Sequence, residues 1–255
     1  LKALYNGVVK FTDVKIPVEN LVAGEGKGLK VALSTLNTGR LTLPAACVGL
    51  MRSCLKIVRE WSSTREQWGC VIGKHQAIGD KIAKIAAKNF ATESIVLFTS
   101  SLVDGKKADI RVESAMCKMW GTEEAWRVAD ETMQIRGGRG YETADSLRNR
   151  GSDPIPVERF LRDCRINMIF EGSSEIMRLL LAREALDPHL KAAGAVLDSR
   201  LPLMVRLKAA IKAGLHYAVW YPKQWLPTFN YGPKGITCSL KKYLWYVSRT
   251  SKKLS

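Results

Sequence analysis

"KHQAIGDKIAKIAAKNFATESIVLFTSSLV", residues 74–103, decides the fold class. Ile78, Ile82, Ile85 and Ala86 recur at spacings of three and four, which puts them on one face of an α-helix. Thirty residues without a strand-like alternation predict a helix from about Lys74 to Val103, closed by the turn "DGKKAD". Working outward, "LKVALSTLN" after Gly28 is helical. A further helix runs from about Thr42 to Arg65, with Pro44 tolerable only near its first turn. Another runs from about Asp109 to Ile135. "GGRGYETADSLRNRGSDP" then interrupts the pattern, and short helices follow near 156–162 and 173–186, the last stopped by Asp187-Pro188. Long amphipathic helices joined by short turns make a bundle. Upstream, "VVKFTDVKIPVENLVAGEGKG", residues 8–28, alternates apolar and polar residues and ends in glycines, so it reads as one or two strands and a turn.

The 255 residues, 46% of them hydrophobic, suffice for a large core. No run approaches the ~20 apolar residues of a membrane span, and the N-terminus lacks the order of regions of a signal peptide. The chain does not begin with Met and reads as a piece of a longer one. Cys47, Cys54, Cys70, Cys117, Cys164 and Cys238 lack the close pairing of a zinc site or disulfide framework. They read as reduced thiols of an intracellular compartment, and no metal site is read. Residues 191–255 hold 12 Lys/Arg against one acid, Asp198, so +11 of the net +16 lies there. Trp220, Trp225, Trp245, Tyr217, Tyr221, Tyr231, Tyr243 and Tyr246 share that tail, a mixture suited to a membrane surface, a nucleic acid or a solvated basic end. No recognition motif accompanies the charge, which sets the nucleic-acid reading aside. In "LPLMVRLKAAIKAGLHYAVWYP", Leu203, Leu207, Ile211 and Leu215 repeat at i,i+4. That stripe fits either an interfacial membrane helix or one packed on the bundle or a dimer partner.

"FEGSSEIMR", residues 170–178, sets Glu171 and Glu175 four positions apart at a helix start. Read from the residues alone, Glu171 is either a carboxylate between apolar walls, Ile169 and Phe170, or an acid complementing a helix dipole. Ser173 or Ser174 caps the helix. Arg65 in "TREQWG" is either a C-terminal dipole partner or a diphosphate ligand.

Five motifs occur in order: "FTDVKIPVENLVAGEGKG", "TREQWG", "QIRGGRGY", "PVERFLRDCRINMIFEGSSEIMR" and "LAREAL". Over residues 8–187 the sequence resembles the acyl-CoA dehydrogenases, flavoenzymes that desaturate fatty acyl thioesters. The resemblance implies a mainly α fold, a C-terminal four-helix bundle preceded by the last strands of the middle β domain. The domains become 1–27, the end of that β domain; 28–190, the bundle; and 191–255, a basic, aromatic-rich extension. It also implies FAD, an acyl-CoA substrate, an electron-transfer flavoprotein as acceptor, and a homodimer or homotetramer in the bacterial cytoplasm or mitochondrial matrix. Peripheral membrane contact is implied for the extension, as in some long-chain members.

Carried over by motif, Glu171 of aromatic-Glu-Gly-Ser is the base that removes the α proton, and Gly172 lets substrate approach the backbone. Some members place the base immediately before the arginine matching Arg40; here that position is Gly39, and the rival site is empty. Asn37 and Arg40 meet the CoA portion and the thioester. Arg65, Gln67, Trp68 (where the family usually has Phe), His75 and Gln76 contact FAD. Gln134, Ile135, Arg136, Gly137 and Gly138 reach the FAD of another subunit, with Arg136 at a position often apolar. Ser173 and Glu175 touch the adenosine end. "ETADSLRNRGSDPI" is longer than the family's link at that point. A noncatalytic scaffold with this fold is the alternative reading, and a piece holding only the last strands of the β domain is expected to fold without turning over substrate alone.

Overall fold

The computed structural model describes residues 5, 7–105, 109–225 and 238–254. Lys106, Lys107 and Ala108 of the "DGKKAD" turn and Tyr231 of the aromatic tail lie outside them. The chain divides into two units, Leu1–Leu181 and Ala182–Ser255.

In the first unit, α1 (Gly28–Thr64) is one helix of 37 residues where the sequence predicts two. Pro44 sits in its interior and is buried. A proline there forfeits a backbone hydrogen bond and crowds the preceding turn, about 3 kcal/mol in an isolated helix. The ring is instead packed against Gly121 of α3 (Arg111–Arg136), where an added Cβ would lie 2.8 Å from that of Pro44. Burial of the ring in this contact offsets the lost bond, so the helix continues.

α2 (Gln76–Asp104) closes the three-helix layer. Lys81 pairs with Glu131, Lys88 with Glu124 at 2.7 Å, and the Thr99 hydroxyl with the Cys117 thiol at 3.1 Å. Ascending numbers on α2 meet descending numbers on α3, so these helices are antiparallel. On α1, Cys47, Met51, Cys54 and Val58 form a stripe at helical spacing that meets Ile85 of α2 and Ala125, Val128 and Ile135 of α3. Ile78 and Ile82 flank this core, as their spacing predicts. Each Ile, Val or Met among them contributes roughly 1.5–3 kcal/mol on burial. α1 is also long and apolar enough to cross a bilayer, with an 18-residue window of mean hydropathy 1.5. That corrects the expectation of no such run. Leu, Val, Ile, Ala, Cys and Met with few charges make the window apolar, and the helix's buried face is the core of the bundle.

Between α1 and α2 the chain makes a tight hairpin, β1 (Glu66–Gln67) with β2 (Cys70–Val71), antiparallel with Gln67 opposite Cys70. Trp68 and Gly69 both have positive φ, 51° and 79°, the signature of a type I′ turn. After α3 come α4 (Gly138–Tyr141), α5 (Ala144–Asn149) and α6 (Val157–Arg165). A 3₁₀ turn, Ile166–Met168, leads to α7 (Ser174–Leu197). Pro188 lies inside α7 and does not stop it, because proline removes one hydrogen bond while "LKAAGAVL" beyond it is made mostly of strong helix formers.

Ahead of α1 the described residues hold no strand, only a 3₁₀ turn at Val18–Asn20. Val8, Val9, Phe11, Val14 and Ile16 are exposed. The alternation that predicts strands is present, but a strand exists only as a pair, and no described residue offers the second edge.

In the second unit, the latter part of α7 is followed by α8 (Leu203–Trp225) and α9 (Cys238–Leu254). α8 turns Ala213, Tyr217 and Trp220 inward. Tyr217 stacks on His189 with its hydroxyl 2.9 Å from Nδ1, and Trp220 meets the same imidazole edge-on. The Leu203, Leu207, Ile211, Leu215 stripe is exposed within this unit.

Cys47, Cys54, Cys117 and Cys164 are buried free thiols. Burial pushes the pKa of Cys47 and Cys54 up to about 11 and that of Cys164 up to about 12. At pH 8 a pKa near 11 leaves roughly a thousandth of a thiol as the reactive thiolate. Cys70, on the surface hairpin, is therefore expected to react with iodoacetamide at least 100-fold faster than these four. Peptide mapping after brief labelling of the folded protein checks this, and equal labelling would refute the burial. Gly121→Val is expected to cost about 1–3 kcal/mol by forcing α1 from α3, lowering Tm by roughly 2–12 °C. Gly49→Ala, with nothing within 4 Å of the new methyl, should not lower it.

Candidate active site

The loop before α7 holds Phe170, Glu171, Gly172 and Ser173. Ser173 is the cap: its hydroxyl accepts from the Ile176 amide at 3.4 Å and its carbonyl from the Met177 amide at 2.9 Å. Just upstream, Glu171 and Gly172 have φ of 54° and 97°. Glycine takes that conformation freely, whereas for glutamate it costs about 1–2 kcal/mol. The turn brings the Glu171 side chain onto α1 at Gly39. A methyl built on Gly39 would overlap Oε2 of Glu171 and lie 3.0 Å from its carboxyl carbon. The position read from the sequence as an empty rival site is thus the seat of the Glu171 carboxylate itself.

Two cations flank it. Arg40 follows Gly39 and donates from Nη1 to Oδ1 of Asn37 at 3.2 Å. Lys118 of α3, fully buried, donates from Nζ to the Gly172 carbonyl at 2.6 Å. Burial pushes the Lys118 pKa below the usual lysine value; the Glu171 charge opposes that shift and the Arg40 charge adds to it. Oε2 of Glu171 and Nε of Arg40 are buried without a hydrogen-bond partner among the described residues. Asn37, Arg40, Glu171 and Gly172 are therefore brought together. Glu175 is exposed, and its own amide together with the Ser173 hydroxyl holds its carboxyl below the usual range.

The second cluster forms a cleft of about 630 Å³ between the hairpin and the end of α3. Arg65, Gln67, Trp68 and His75 line one side, and Ile135, Arg136, Gly137 and Gly138 the other. Two stretches some sixty residues apart thus share one cleft. Arg136 is buried with its guanidinium 4.9 Å from the centre of the Trp61 ring, and burial lowers its pKa. The long insert completes the wall. Thr143 caps α5, and Glu142 accepts from Arg150 at 2.5 Å and lies 4.0 Å from Arg139. The Ser146 hydroxyl, 2.9 Å away, and these guanidiniums hold the Glu142 carboxyl below the usual range. Four guanidiniums, an Arg136 Nε without a hydrogen-bond partner among the described residues and a Trp68 indole 92% exposed suit a ligand with phosphates and a flat ring. Gln76 and Gln134 are exposed and outside the cleft's lining. Ser173 and Glu175 belong to the Glu171 loop.

Sequence reasoning missed Lys118, Glu142, Arg150 and Trp61. The signal for Lys118 is its place on a face with Ser114 and Thr122, one helical turn to either side, both fully buried. The two clusters sit toward opposite ends of α1: Gly39 and Trp61 are roughly 33 Å apart at 1.5 Å per residue.

A helical bundle with a half-buried carboxylate at one end and a cationic, aromatic cleft at the other defines a class, and the comparisons with known proteins agree. Residues 26–186 match the family described as acyl-CoA dehydrogenase, C-terminal domain. The chain belongs to the acyl-CoA dehydrogenase family. Its whole length is 49% identical, over 259 aligned residues, to the probable acyl-CoA dehydrogenase FadE10 of Mycobacterium tuberculosis, of which it spans 39%. With the human mitochondrial very long-chain specific acyl-CoA dehydrogenase it shares 37% identity over 71% of this chain and 26% of that one. The solved butyryl-CoA dehydrogenase of Megasphaera elsdenii matches with a TM-score of 0.62 at 33% identity, over 69% of this chain and 43% of that one.

Gly39→Ala isolates the packing of the carboxylate. Alanine favours a helix interior by up to about 1 kcal/mol, so stability should hold or rise while the Glu171 side chain is driven out of its seat. A crystal structure of the variant with the carboxylate unmoved would contradict the contact described.

Proposed function

We propose that these residues form the catalytic bundle of a flavin-dependent acyl-CoA dehydrogenase, in which Glu171 takes the α proton of an acyl thioester. One observation carries the reading: a strained left-handed turn holds a carboxylate against a bare Cα between two cations, with one oxygen buried and unpartnered among the described residues. A general base has to meet a C–H bond without water competing, and such an oxygen is suited to that. Gly172 supplies the left-handed turn that aims Glu171, with its Cα packed on the Met177 methyl, and Asn37 and Arg40 orient the CoA portion.

FAD, when bound, supplies the acceptor for the β hydride. Arg65, Gln67, Trp68, His75, Arg136, Gly137 and Gly138 would hold its nucleotide portion in the cleft, with Gln76, Gln134 and Ile135 beside them. Ser173 and Glu175 would meet the adenosine end of a nucleotide bound near Glu171. Roughly 33 Å of α1 between the two clusters is more than one flavin nucleotide spans, which supports a homo-oligomer in which the cleft of one copy serves the carboxylate of another. An electron-transfer flavoprotein as acceptor is supported by the family. Relatives from Mycobacterium and from mammalian mitochondria support an intracellular or matrix location.

The test is Glu171→Gln in the flavin-loaded enzyme that carries this chain. Size and hydrogen bonding are retained while the proton acceptor is lost. Flavin should stay bound, and stopped-flow bleaching by acyl-CoA should slow by about 10²–10⁴, roughly 3–5 kcal/mol of barrier. Glu175→Gln should bleach near the wild-type rate and retain FAD less well. Unchanged bleaching by Glu171→Gln would end the proposal.

A further inference from the structure

We infer that Lys118 is a positioning residue, whose ammonium latches the Gly172 carbonyl and thereby keeps the Glu171 carboxylate seated at Gly39; this rests on the function proposed for Glu171. Lys118 projects from α3 two turns in from its start, is wholly shielded from solvent, and ends 2.6 Å from a loop carbonyl rather than in a surface ion pair. A buried ammonium is costly, and packing alone would be met better by methionine or leucine of similar volume. What the lysine adds is one strong, directed bond to the peptide that follows two consecutive left-handed residues. Glu171 pays strain to hold its φ of 54°, so without an anchor the loop has reason to relax toward ordinary backbone angles. Relaxation would swing the carboxylate off Gly39. The ammonium and the carboxylate also attract, which aligns the latch with the group it positions.

The experiment uses Lys118→Met, which keeps the volume, and Lys118→Gln, which keeps a donor, each in the flavin-loaded enzyme. Lys118→Met is expected to reduce its flavin with acyl-CoA about 10–100-fold more slowly, with flavin content and acyl-CoA Kd within about threefold of wild type. Lys118→Gln should fall between the two. Hydrogen exchange read by mass spectrometry supplies a measure independent of flavin. In Lys118→Met, exchange should accelerate at least about tenfold in the peptide covering 169–173 and stay unchanged through α1 and α3. Wild-type bleaching by Lys118→Met overturns the inference. So does exchange that rises evenly with loss of flavin, or failure of both variants to fold, since each makes Lys118 a determinant of the fold and not of the loop. Glu171→Gln run in parallel separates the two ideas. If it bleaches at the wild-type rate the proposed base is wrong, whereas a dead Glu171→Gln beside a fully active Lys118→Met removes only the latch.

Discussion

The contact on which the molecule depends is the close approach of α1 and α3 where Pro44 meets Gly121. Arg40 and Gly39 lie on α1 one turn before it, and Lys118 lies on α3 one turn before it. Trp61 and Arg136 meet again far along both helices. The two helices thus run parallel, and a parallel pair brings like ends together. A residue that separated them at Gly121 would disturb both clusters at once, although neither includes Gly121.

Electrostatics are handled differently at the two ends. Around Glu171 the Lys118 ammonium is withdrawn from water, desolvation being the largest influence on it, while Glu171 and Arg40 are half-buried. Few groups and strict geometry follow from that, because an unpaired charge there is expensive. In the cleft Arg65 and Arg150 are exposed and Arg139 half-buried, Arg136 alone of the four being buried, so most of the charge is screened and the number of arginines matters more than the position of any one. The first arrangement suits chemistry on a small group of atoms. The second suits holding a larger charged ligand.

Much of this was legible in the chain. The predicted 74–103 and 109–135 helices fall within two residues of α2 and α3, because apolar spacing reports directly on which face is buried. α1 was split in two because proline is a local stop signal, while its compensation lies at Gly121, 77 positions away. The hairpin after α1 was hidden for the opposite reason: Trp68 takes a turn conformation usually left to Asn or Gly. Glu171 was found through its motif. Its relation to Gly39 and Lys118 joins three separate parts of the chain, and no spacing rule reaches across them. The stretch before α1 has the alternation of strands, but pairing is a property of two segments.

Glu142 gives the cationic cleft a built-in counter-ion. Its carboxylate is shared by Arg150 and Arg139, which relieves repulsion among the guanidiniums and keeps them splayed along the wall. An anion arriving there does not meet bare positive charge; it enters by exchange, taking donors that a carboxylate already occupies. The gain on binding is then the difference between phosphate and carboxylate as acceptors, and fewer mobile counter-ions are released than a count of arginines implies. Selectivity between ligands would accordingly come from how well each geometry outcompetes one fixed acid, and the insert that carries Glu142 sets that threshold.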